Sequence, residues 1–339
     1  MRYAVWNNKG GVGKTFLTFM MAGEYAQKHP TQNVVIIDLC PQANVSEIVL
    51  GGNGKGSDTL DKLLKNKPNR RTIGGYLDER IRSPFSPTNT EADYLVNPAT
   101  EKFNNNLKDN LYLVAGDPSL ELQAQVINQL SILPQPQDAW KLVHSWVLDL
   151  TNGIQKKLGK DTMFFIDCNP SFASYTELAI LASERLIVPC SGDGSSARAI
   201  DNIGRLVYDI NTPSIYKKGN FSAKAKESKL NLPEIHIIAS NRSTQYGEKA
   251  SKGFSAMFEE VKNRINKLKT NDGKIFSPTY DFVDIPDSHT LSIVCSHHGI
   301  PISMLKPDSK YPIYDKNTQI PRPSYDKYKG AIDNLISKL

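Results

Sequence analysis

Residues 7–15 read Asn-Asn-Lys-Gly-Gly-Val-Gly-Lys-Thr, and this stretch decides the fold. It follows the apolar run Tyr3–Trp6, which is typical of a buried strand, and it precedes Phe16–Gln27, which has the periodicity of a helix. Glycines let consecutive backbone N–H groups turn towards phosphate oxygens, and the start of a helix adds a favourable dipole. The stretch therefore predicts a phosphate-binding loop between the first strand and the first helix.

Two side chains of this loop predict chemistry beyond backbone contacts. Lys14 is placed to reach the β- and γ-phosphates of a nucleotide, and the hydroxyl of Thr15 is placed to ligate Mg²⁺. The ordinary P-loop pattern G-x-x-x-x-G-K-[ST] has glycine where this chain has Asn8, and a second lysine, Lys9, precedes the glycines. The residues expected to bind the nucleotide here are Lys9, Gly10, Gly11, Val12, Gly13, Lys14, Thr15 and Phe16.

The extra lysine makes the motif resemble the deviant Walker A box of the ParA/MinD ATPases, KGGVGKT. Three further segments resemble parts of the same family. Val34–Asn44, which reads VVIIDLCPQAN, is similar to the Walker A′ segment of that family. Met163–Ser171, which reads MFFIDCNPS, is similar to its Walker B strand. Asp284–Ile302 is similar to its late loop and the helix beside the adenine. The resemblance spans nearly the whole chain, and it implies a three-layer, doubly wound α/β P-loop ATPase with a mainly parallel sheet and inserted loops.

The rest of the chain has the alternating pattern that such a sheet requires. Further apolar runs lie at Leu111–Val114, Leu186–Val188 and Ile235–Ala239, and the segments between them have helical periodicity: Leu120–Leu130, Trp140–Leu158 and Ala197–Ile210. We interpret residues 1–339 as a single P-loop domain. It contains an insertion at 51–110, rich in glycine and proline, a basic loop at 211–233 and a C-terminal helix at 324–339.

Two aspartates are predicted to support the magnesium ion together with Thr15. Asp38 and Asp167 each end an apolar strand, and a carboxylate at that edge of a sheet can hold the hydration shell of Mg²⁺. By resemblance, Lys9 reaches across a sandwich dimer to the ATP of a second copy. Also by resemblance, the adenine is expected between two pairs of residues: Asn241 and Arg242, and Pro286 and Asp287.

Cys40 departs from the family pattern at a catalytic position. The family normally has a second aspartate there, which orients the attacking water, and a thiol is a poor acceptor with an ordinary pKa of about 8.5. Losing such a group typically lowers the rate by about 10²–10⁴-fold, so we expect slow hydrolysis with ATP binding retained. Three explanations stay open: an engineered substitution that traps the ATP state, recruitment of Gln42 or Asp193, or a natural nucleotide-binding switch.

Composition excludes several classes of protein. With 39% hydrophobic and 22% charged residues, the chain can bury a core, and no stretch approaches the roughly 18 apolar residues of a membrane span. Its four cysteines lack any C-x-x-C spacing, which predicts free thiols rather than a zinc site. We therefore expect a cytoplasmic protein without a membrane partner.

Positive charge is concentrated in one part of the chain. Residues 211–270 contain ten lysines and two arginines against five glutamates, whereas the whole chain has a net charge of only +6. Such a basic segment is typical of proteins that bind polyanions, although charged runs are more often plain solvent-exposed faces. The predicted DNA contacts are Lys217, Lys218, Lys224, Lys226, Lys249, Lys252, Lys262 and Lys267.

These observations and the resemblance together imply a DNA partition ATPase. We expect Mg·ATP to form a homodimer that binds nonspecific DNA on the nucleoid, and a centromere-binding, ParB-like adaptor to stimulate hydrolysis and release. Two alternatives remain: a nucleotide-dependent switch with little or no turnover, and a positioning ATPase of the MinD type that acts at membranes.

Overall fold

A central mixed sheet organises the chain in the computed structural model. The structure describes residues 1–159, 161–217, 219–243, 245–246, 249–250 and 252–339, and between 242 and 257 it describes the backbone alone. Among these residues, eight strands form the sheet in the spatial order β10-β7-β6-β1-β5-β2-β4-β3. The strands are β1 (Arg2–Val5), β2 (Asn33–Leu39), β3 (Leu95–Val96), β4 (Leu111–Val114), β5 (Thr162–Cys168), β6 (Arg185–Cys190), β7 (Glu234–Ser243) and β10 (Phe276–Pro286).

Neighbouring strands of the sheet are parallel except at one edge, where β3 is antiparallel to β4. In the centre, Val5 of β1 and Asp38 of β2 both pair in register with Asp167 of β5. The carboxyl ends of the three central strands therefore meet at one place. Among the described residues, two antiparallel strand pairs lie outside the sheet: β8 (Gln245–Tyr246) with β9 (Lys249–Ala250), and β11 (Lys310–Ile313) with β12 (Lys316–Gln319).

Helices cover both faces of the sheet and complete three layers. Alternate residues of β1 show this, since Tyr3 and Val5 enter one apolar cluster and Ala4 enters the other. The helices are α1 (Lys14–Lys28), α2 (Asn44–Val49), α3 (Lys55–Leu64), α4 (Ile73–Arg82), α5 (Leu120–Ser131), α6 (Ala139–His144), α7 (Trp146–Leu158), α8 (Ser174–Ala182), α9 (Gly194–Tyr208), α10 (Ser214–Lys217), α11 (Phe221–Glu227), α12 (Lys252–Asn271), α13 (His289–His298) and α14 (Arg322–Ile336). The predicted three-layer, mainly parallel α/β fold is confirmed.

Some local predictions differ from the structure. The single helix predicted over Trp140–Leu158 is two helices, α6 and α7, which meet at Ser145. The edge strand β10 was not predicted, because its sequence mixes Pro278, Thr279 and Asp281 with apolar residues and so lacks a continuous apolar run. Residues 211–233 are not one loop, since α10 and α11 lie within them.

The C-terminal helix α14 packs on the core. Its residues Tyr328, Ile332, Leu335 and Ile336 are buried in the same cluster as the apolar face of α1. Lys28 of α1 also pairs with Asp333 at 2.6 Å. The apolar face of this helix is therefore occupied within the chain.

Among the described residues, we find no helix with the length and hydrophobicity needed to cross a bilayer.

A close contact between α2 and α3 gives a test of the fold. A Cβ atom on Gly56 would lie 1.9 Å from the carbonyl oxygen of Glu47, whereas a Cβ on Gly330 of α14 meets nothing within 4 Å. We expect Gly56→Ala to lower the free energy of unfolding by about 2 kcal/mol, because backbone must move. Gly330→Ala should raise it by up to about 1 kcal/mol through helix propensity. Urea denaturation measures both, and equal effects would contradict the close packing of α3 on α2.

Candidate nucleotide-binding site

The loop between β1 and α1 has the backbone shape of a phosphate cradle. Gly11 and Gly13 adopt positive φ angles of 75° and 82°, a region that favours glycine. A Cβ atom on Gly13 would lie 2.1 Å from the side-chain nitrogen of Asn241, so only glycine fits there. The same nitrogen of Asn241 donates a hydrogen bond to the carbonyl of Val12 at 2.9 Å. The end of β7 therefore supports the loop directly.

Lys14 is folded into its own loop. Its ammonium group donates hydrogen bonds to the carbonyl oxygens of Asn7 and Lys9, at 3.1 and 2.9 Å. Burial lowers the pKa of this lysine, while Asp167 opposes that change. A cation thus lies at the centre of the loop, where the phosphates of a nucleotide would carry negative charge.

The two predicted magnesium aspartates lie side by side. Thr15 Oγ1 donates to Asp167 Oδ2 at 2.9 Å, so the hydroxyl and this carboxylate meet at the start of α1. Asp38 accepts hydrogen bonds from the backbone N–H of Cys40 at 3.0 Å and from the hydroxyl of Ser46 at 2.6 Å. Burial raises the pKa of both carboxyl groups, and the nearness of Asp38 raises that of Asp167 further.

These residues fit a divalent cation bound beside phosphate. Two adjacent buried carboxylates repel each other, and a cation would relieve this repulsion. Hard oxygen donors, a hydroxyl and carboxylates, are also those that Mg²⁺ prefers. If such an ion bound, Thr15 would be the residue to ligate it, and Asp38 and Asp167 would hold its water ligands.

Cys40 lies just beyond the end of β2 as a neutral thiol. Its side chain is only 9% exposed. Burial, followed by the charge of Asp38, raises the pKa of the thiol to about 12. At neutral pH this position therefore offers no negative charge to orient a water molecule. Gln42, one of the two residues considered as a substitute, is exposed in the following turn.

Lys9 makes contacts that the sequence did not reveal. Its ammonium group pairs with Asp193, at the start of α9, and donates to the hydroxyl of Ser191 at 2.9 Å. Asp193 also caps α9, accepting from the backbone N–H of Ser196 at 2.9 Å. Partial burial of Asp193 opposes its ionisation, but hydrogen bonds from Lys9 and the serines hold its pKa well below the usual range.

This contact affects the role proposed for Asp193 as a substitute for the missing aspartate. In the observed arrangement its carboxylate is occupied by Lys9, the serines and the helix N-terminus. The sequence of residues 191–196, Ser-Gly-Asp-Gly-Ser-Ser, signals only that Asp193 can cap a helix, since Asp is a preferred N-cap residue.

The predicted adenine residues surround one small pocket. Asn241, Pro286 and Asp287 line it, and Phe16 and Tyr328 lie around the same space. The structure therefore brings together segments that are far apart in the sequence, including α14, which was not expected at the site. The side chain of Arg242 lies outside the described residues.

The predicted DNA residues fall on different elements. Lys217 is on α10, Lys224 and Lys226 are on α11, and Lys262 and Lys267 are on α12. Lys262 pairs with Glu259 at 3.2 Å. Lys218 and the side chains of Lys249 and Lys252 lie outside the described residues.

Sequence reasoning missed arginines on α9 that lie close to α12. Arg205 and Lys267 line one groove, and Arg198 and Lys9 line the adjoining one. Arg264 and Asp201, which pair at 2.6 Å, contribute to both grooves. Arg198 and Arg205 are exposed and seven positions apart, so they share a helix face. This spacing of two arginines was the sequence signal for the basic helix face. Both arginines precede the basic segment 211–270, so the predicted DNA contacts did not include them.

Comparison with known families agrees with this geometry. Residues 3–278 match the profile of the family described as the CobQ/CobB/MinD/ParA nucleotide binding domain. Because the match covers most of the chain, the chain belongs to this family. The predicted relationship to the ParA/MinD ATPases is confirmed. A comparison with curated protein sequences found no match.

Several solved structures share the fold. McdA from Cyanothece, without nucleotide, is 15% identical with a TM-score of 0.62, covering 98% of this chain and 98% of that chain. A Borrelia burgdorferi protein assigned to plasmid partition, with AMPPNP bound, is 15% identical with a TM-score of 0.53, covering 99% and 98%. ParA of pNOB8 is 16% identical with a TM-score of 0.52, covering 82% and 76%. At these identities the similarity concerns the fold.

The two threonines that contact Asp167 provide a matched test of metal binding. Thr15 is partly exposed, whereas Thr18 is fully buried and donates to the carbonyl of Lys14 at 2.9 Å. We expect Thr15→Ala to weaken ATP binding in the presence of Mg²⁺ by about tenfold or more, because a metal ligand is removed. Thr18→Ala should leave the magnesium dependence unchanged.

Calorimetric titration with ATP, with Mg²⁺ and with EDTA, separates the metal contribution. If Thr15→Ala weakened binding equally in EDTA, the hydroxyl would not act through the metal.

Proposed function

We propose that the protein is a ParA-type ATPase that binds Mg·ATP, dimerises face to face around two nucleotides, and then holds nonspecific DNA. An adaptor protein of the ParB kind stimulates hydrolysis and so releases the DNA. The observation that carries this proposal is the phosphate loop, which presents two lysines of different accessibility. Lys14 is buried within the loop, whereas Lys9 projects from it towards α9.

Within one chain, the loop and Lys14 would hold the triphosphate. The backbone N–H groups around Gly11 and Gly13 bind phosphate oxygens, and Lys14 exchanges its carbonyl partners for the β- and γ-phosphates. Thr15, with Asp38 and Asp167 behind it, would hold Mg²⁺, which would neutralise charge on those phosphates. Phe16, Asn241, Pro286 and Asp287 enclose the base.

Dimerisation requires Lys9 to exchange one partner for another. In the single chain its ammonium group is paired with Asp193, and in the dimer it would contact the ATP of the second copy. A cation supplied across an interface stabilises charge that develops on the transferred phosphoryl group. A triphosphate carries more charge than one carboxylate, so the exchange is favourable when a second copy brings ATP.

The neutral thiol of Cys40 favours slow turnover. The buried edge of the sheet offers Asp38 and Asp167 to the metal, while the position next to them has no carboxylate for the attacking water. This supports a second candidate, a nucleotide-dependent switch that assembles with ATP and disassembles without appreciable hydrolysis.

Replacing Cys40 discriminates between these two functions. We expect Cys40→Asp to raise the rate of ATP hydrolysis by about 10²–10⁴-fold, because a carboxylate would then orient the water. Cys40→Asn is the matched control, since it has the same shape without the charge. Phosphate release should be measured with and without DNA.

An Asp variant no faster than the Asn variant would contradict the role of position 40. Fast hydrolysis by the unmodified chain would show that another residue orients the water.

DNA binding is proposed for the face shared by α9 and α12. Arg198, Arg205 and Lys267 line adjoining grooves there, and Lys9 lies at one end. Neutralising phosphates by such side chains releases counterions and requires no base recognition. Binding of this kind would associate the protein with the nucleoid.

Charge reversal on this face should weaken DNA binding uniformly across sequences. For Arg205→Glu and Lys267→Glu we expect a shallower dependence of the DNA-binding constant on salt. The negative slope of log K against log salt concentration should decrease in magnitude by about 0.9 for each DNA phosphate that the variant no longer neutralises. Lys108→Glu is the control, because Lys108 is an exposed lysine before β4, a strand near the opposite edge of the sheet from β6, β7 and β10. Fluorescence anisotropy with a labelled duplex, over a salt series with ATP, gives the slope. An unchanged slope in both variants would place the DNA elsewhere.

The membrane-acting alternative is not favoured by the position of α14. A targeting helix must present its apolar face to lipid. Here Ile332, Leu335 and Ile336 pack inside the chain. ATP-dependent binding to vesicles in a flotation assay would reverse this judgement.

A further inference from the structure

A groove lies between α11 and the segment that joins α5 to α6, and neither ATP nor DNA accounts for it. Its volume is about 620 Å³. Ile132, Leu133 and Trp140 form its apolar part. The side chains of Ile132 and Leu133 are 70% and 43% exposed, although apolar residues of this size are mostly buried in the chain. Large apolar side chains gathered in an exposed concave surface are typical of an interaction site.

The charge around this groove limits what it can accept. Lys141, Lys224 and Lys229 line it and outnumber the acidic residues of the lining, Asp138 and Glu227. The groove also adjoins the basic segment 211–270, to which α11 belongs. An apolar surface bordered by lysines is complementary to an apolar side chain flanked by carboxylates.

We propose that this groove docks a short acidic segment of a partner protein, anchored by a bulky apolar side chain. The anchor packs on Ile132, Leu133 and Trp140, and carboxylates beside it pair with the three lysines. This site is separate from the proposed ATP site and from the face of α9 and α12 proposed for DNA, although Lys224, one of the lysines predicted to contact DNA, lines it. Its occupation requires neither ligand.

A nucleic acid fits this groove less well than a peptide does. Single-stranded binding sites offer aromatic faces on which bases stack. Here the ring of His144 already stacks on Trp140, with centroids 4.0 Å apart and an interplanar angle of 18°. The remaining apolar surface is aliphatic. It matches an aliphatic or aromatic side chain better than a base.

A series of aromatic rings connects the groove to the phosphate loop. Trp140 packs against Phe221 at 6.3 Å, Phe221 against Phe172 at 5.3 Å, and Phe172 against Trp6 at 5.3 Å. Trp6 directly precedes the loop and donates to the carbonyl of Asn169 at 3.0 Å. Displacing one ring in such a packed series displaces the next. Docking should therefore change the packing around the phosphate loop. Because coupling between two binding sites is reciprocal, binding of nucleotide should change the affinity of the groove for the docked segment.

The three tryptophans of the chain allow a direct measurement. Trp6 and Trp146 are fully buried, whereas Trp140 lines the groove. The full chain would be labelled with 5-fluorotryptophan, and Trp→Phe variants would assign its three ¹⁹F signals. The labelled chain would then be titrated with peptide in the absence of nucleotide. The probe is a synthetic peptide of glutamates flanking a central Leu-Phe pair. The comparators are the same peptide with Ala-Ala in the centre, the same with lysines for glutamates, and a DNA duplex.

We expect the glutamate Leu-Phe peptide alone to shift the Trp140 signal saturably, with a smaller shift at Trp6 and none at Trp146. Ile132→Asp and Lys224→Glu should each weaken binding by about tenfold, since each removes one anchoring interaction. Leu122→Asp and Lys226→Glu are the matched controls. Leu122 is 72% exposed on α5 and Lys226 is exposed on α11, and neither lines the groove.

Several outcomes would overturn the proposal. One is a Trp140 signal that shows no saturable shift with the glutamate Leu-Phe peptide, and another is equally good binding of the lysine peptide or the Ala-Ala peptide. The others are a Trp140 shift caused by the DNA duplex, and control variants that weaken peptide binding as much as Ile132→Asp and Lys224→Glu do. An unchanged Trp146 signal shows that each variant is folded. An affinity that ATP leaves unaltered, with a constant Trp6 signal, would refute the link to the phosphate loop.

Discussion

The rest of the site depends on one contact, in which the ammonium group of Lys14 donates hydrogen bonds to the carbonyl oxygens of Asn7 and Lys9. It closes the loop that joins the central strand β1 to α1, and it places positive charge where the sheet ends. Gly13 allows the loop to turn, and Asn241 at the end of β7 supports it. The carboxylates of Asp38 and Asp167 then face this charge from two neighbouring strands. Binding of phosphate is thus a consequence of how three strand ends meet.

The balance of charge at this edge supports the proposal of a site that holds a nucleotide more readily than it cleaves one. Two buried carboxylates lie where a bound cation would relieve their repulsion, and the neighbouring thiol of Cys40 is neutral. The side chain of Lys9 projects from the loop into an ion pair that costs little to break, because Asp193 is partly exposed. In the proposed mechanism, assembly of two copies depends on Lys9 and turnover of ATP depends on position 40, so assembly could be complete while hydrolysis is slow.

Much of this could be predicted from the sequence, because the strongest signals were local. The motif at 7–15 specified the loop, and unbroken apolar runs specified the central strands, whose two faces are both covered. The edge strand β10 was not predicted, because polar residues interrupt its apolar sequence. The pairing of Lys9 with Asp193 joins residues 184 positions apart, and the groove beside Trp140 brings together α6 and α11. No local pattern encodes such contacts, since they arise only when the layers pack.

The central claim is that Lys9 leaves Asp193 to hold a nucleotide shared between two copies. Sedimentation equilibrium of the unmodified chain and of Lys9→Ala, each with ADP and with a non-hydrolysable ATP analogue, tests it most directly. We expect the unmodified chain to form dimers only with the analogue, and Lys9→Ala to remain a monomer that still binds the analogue. Dimers of Lys9→Ala formed at the same concentration would contradict it.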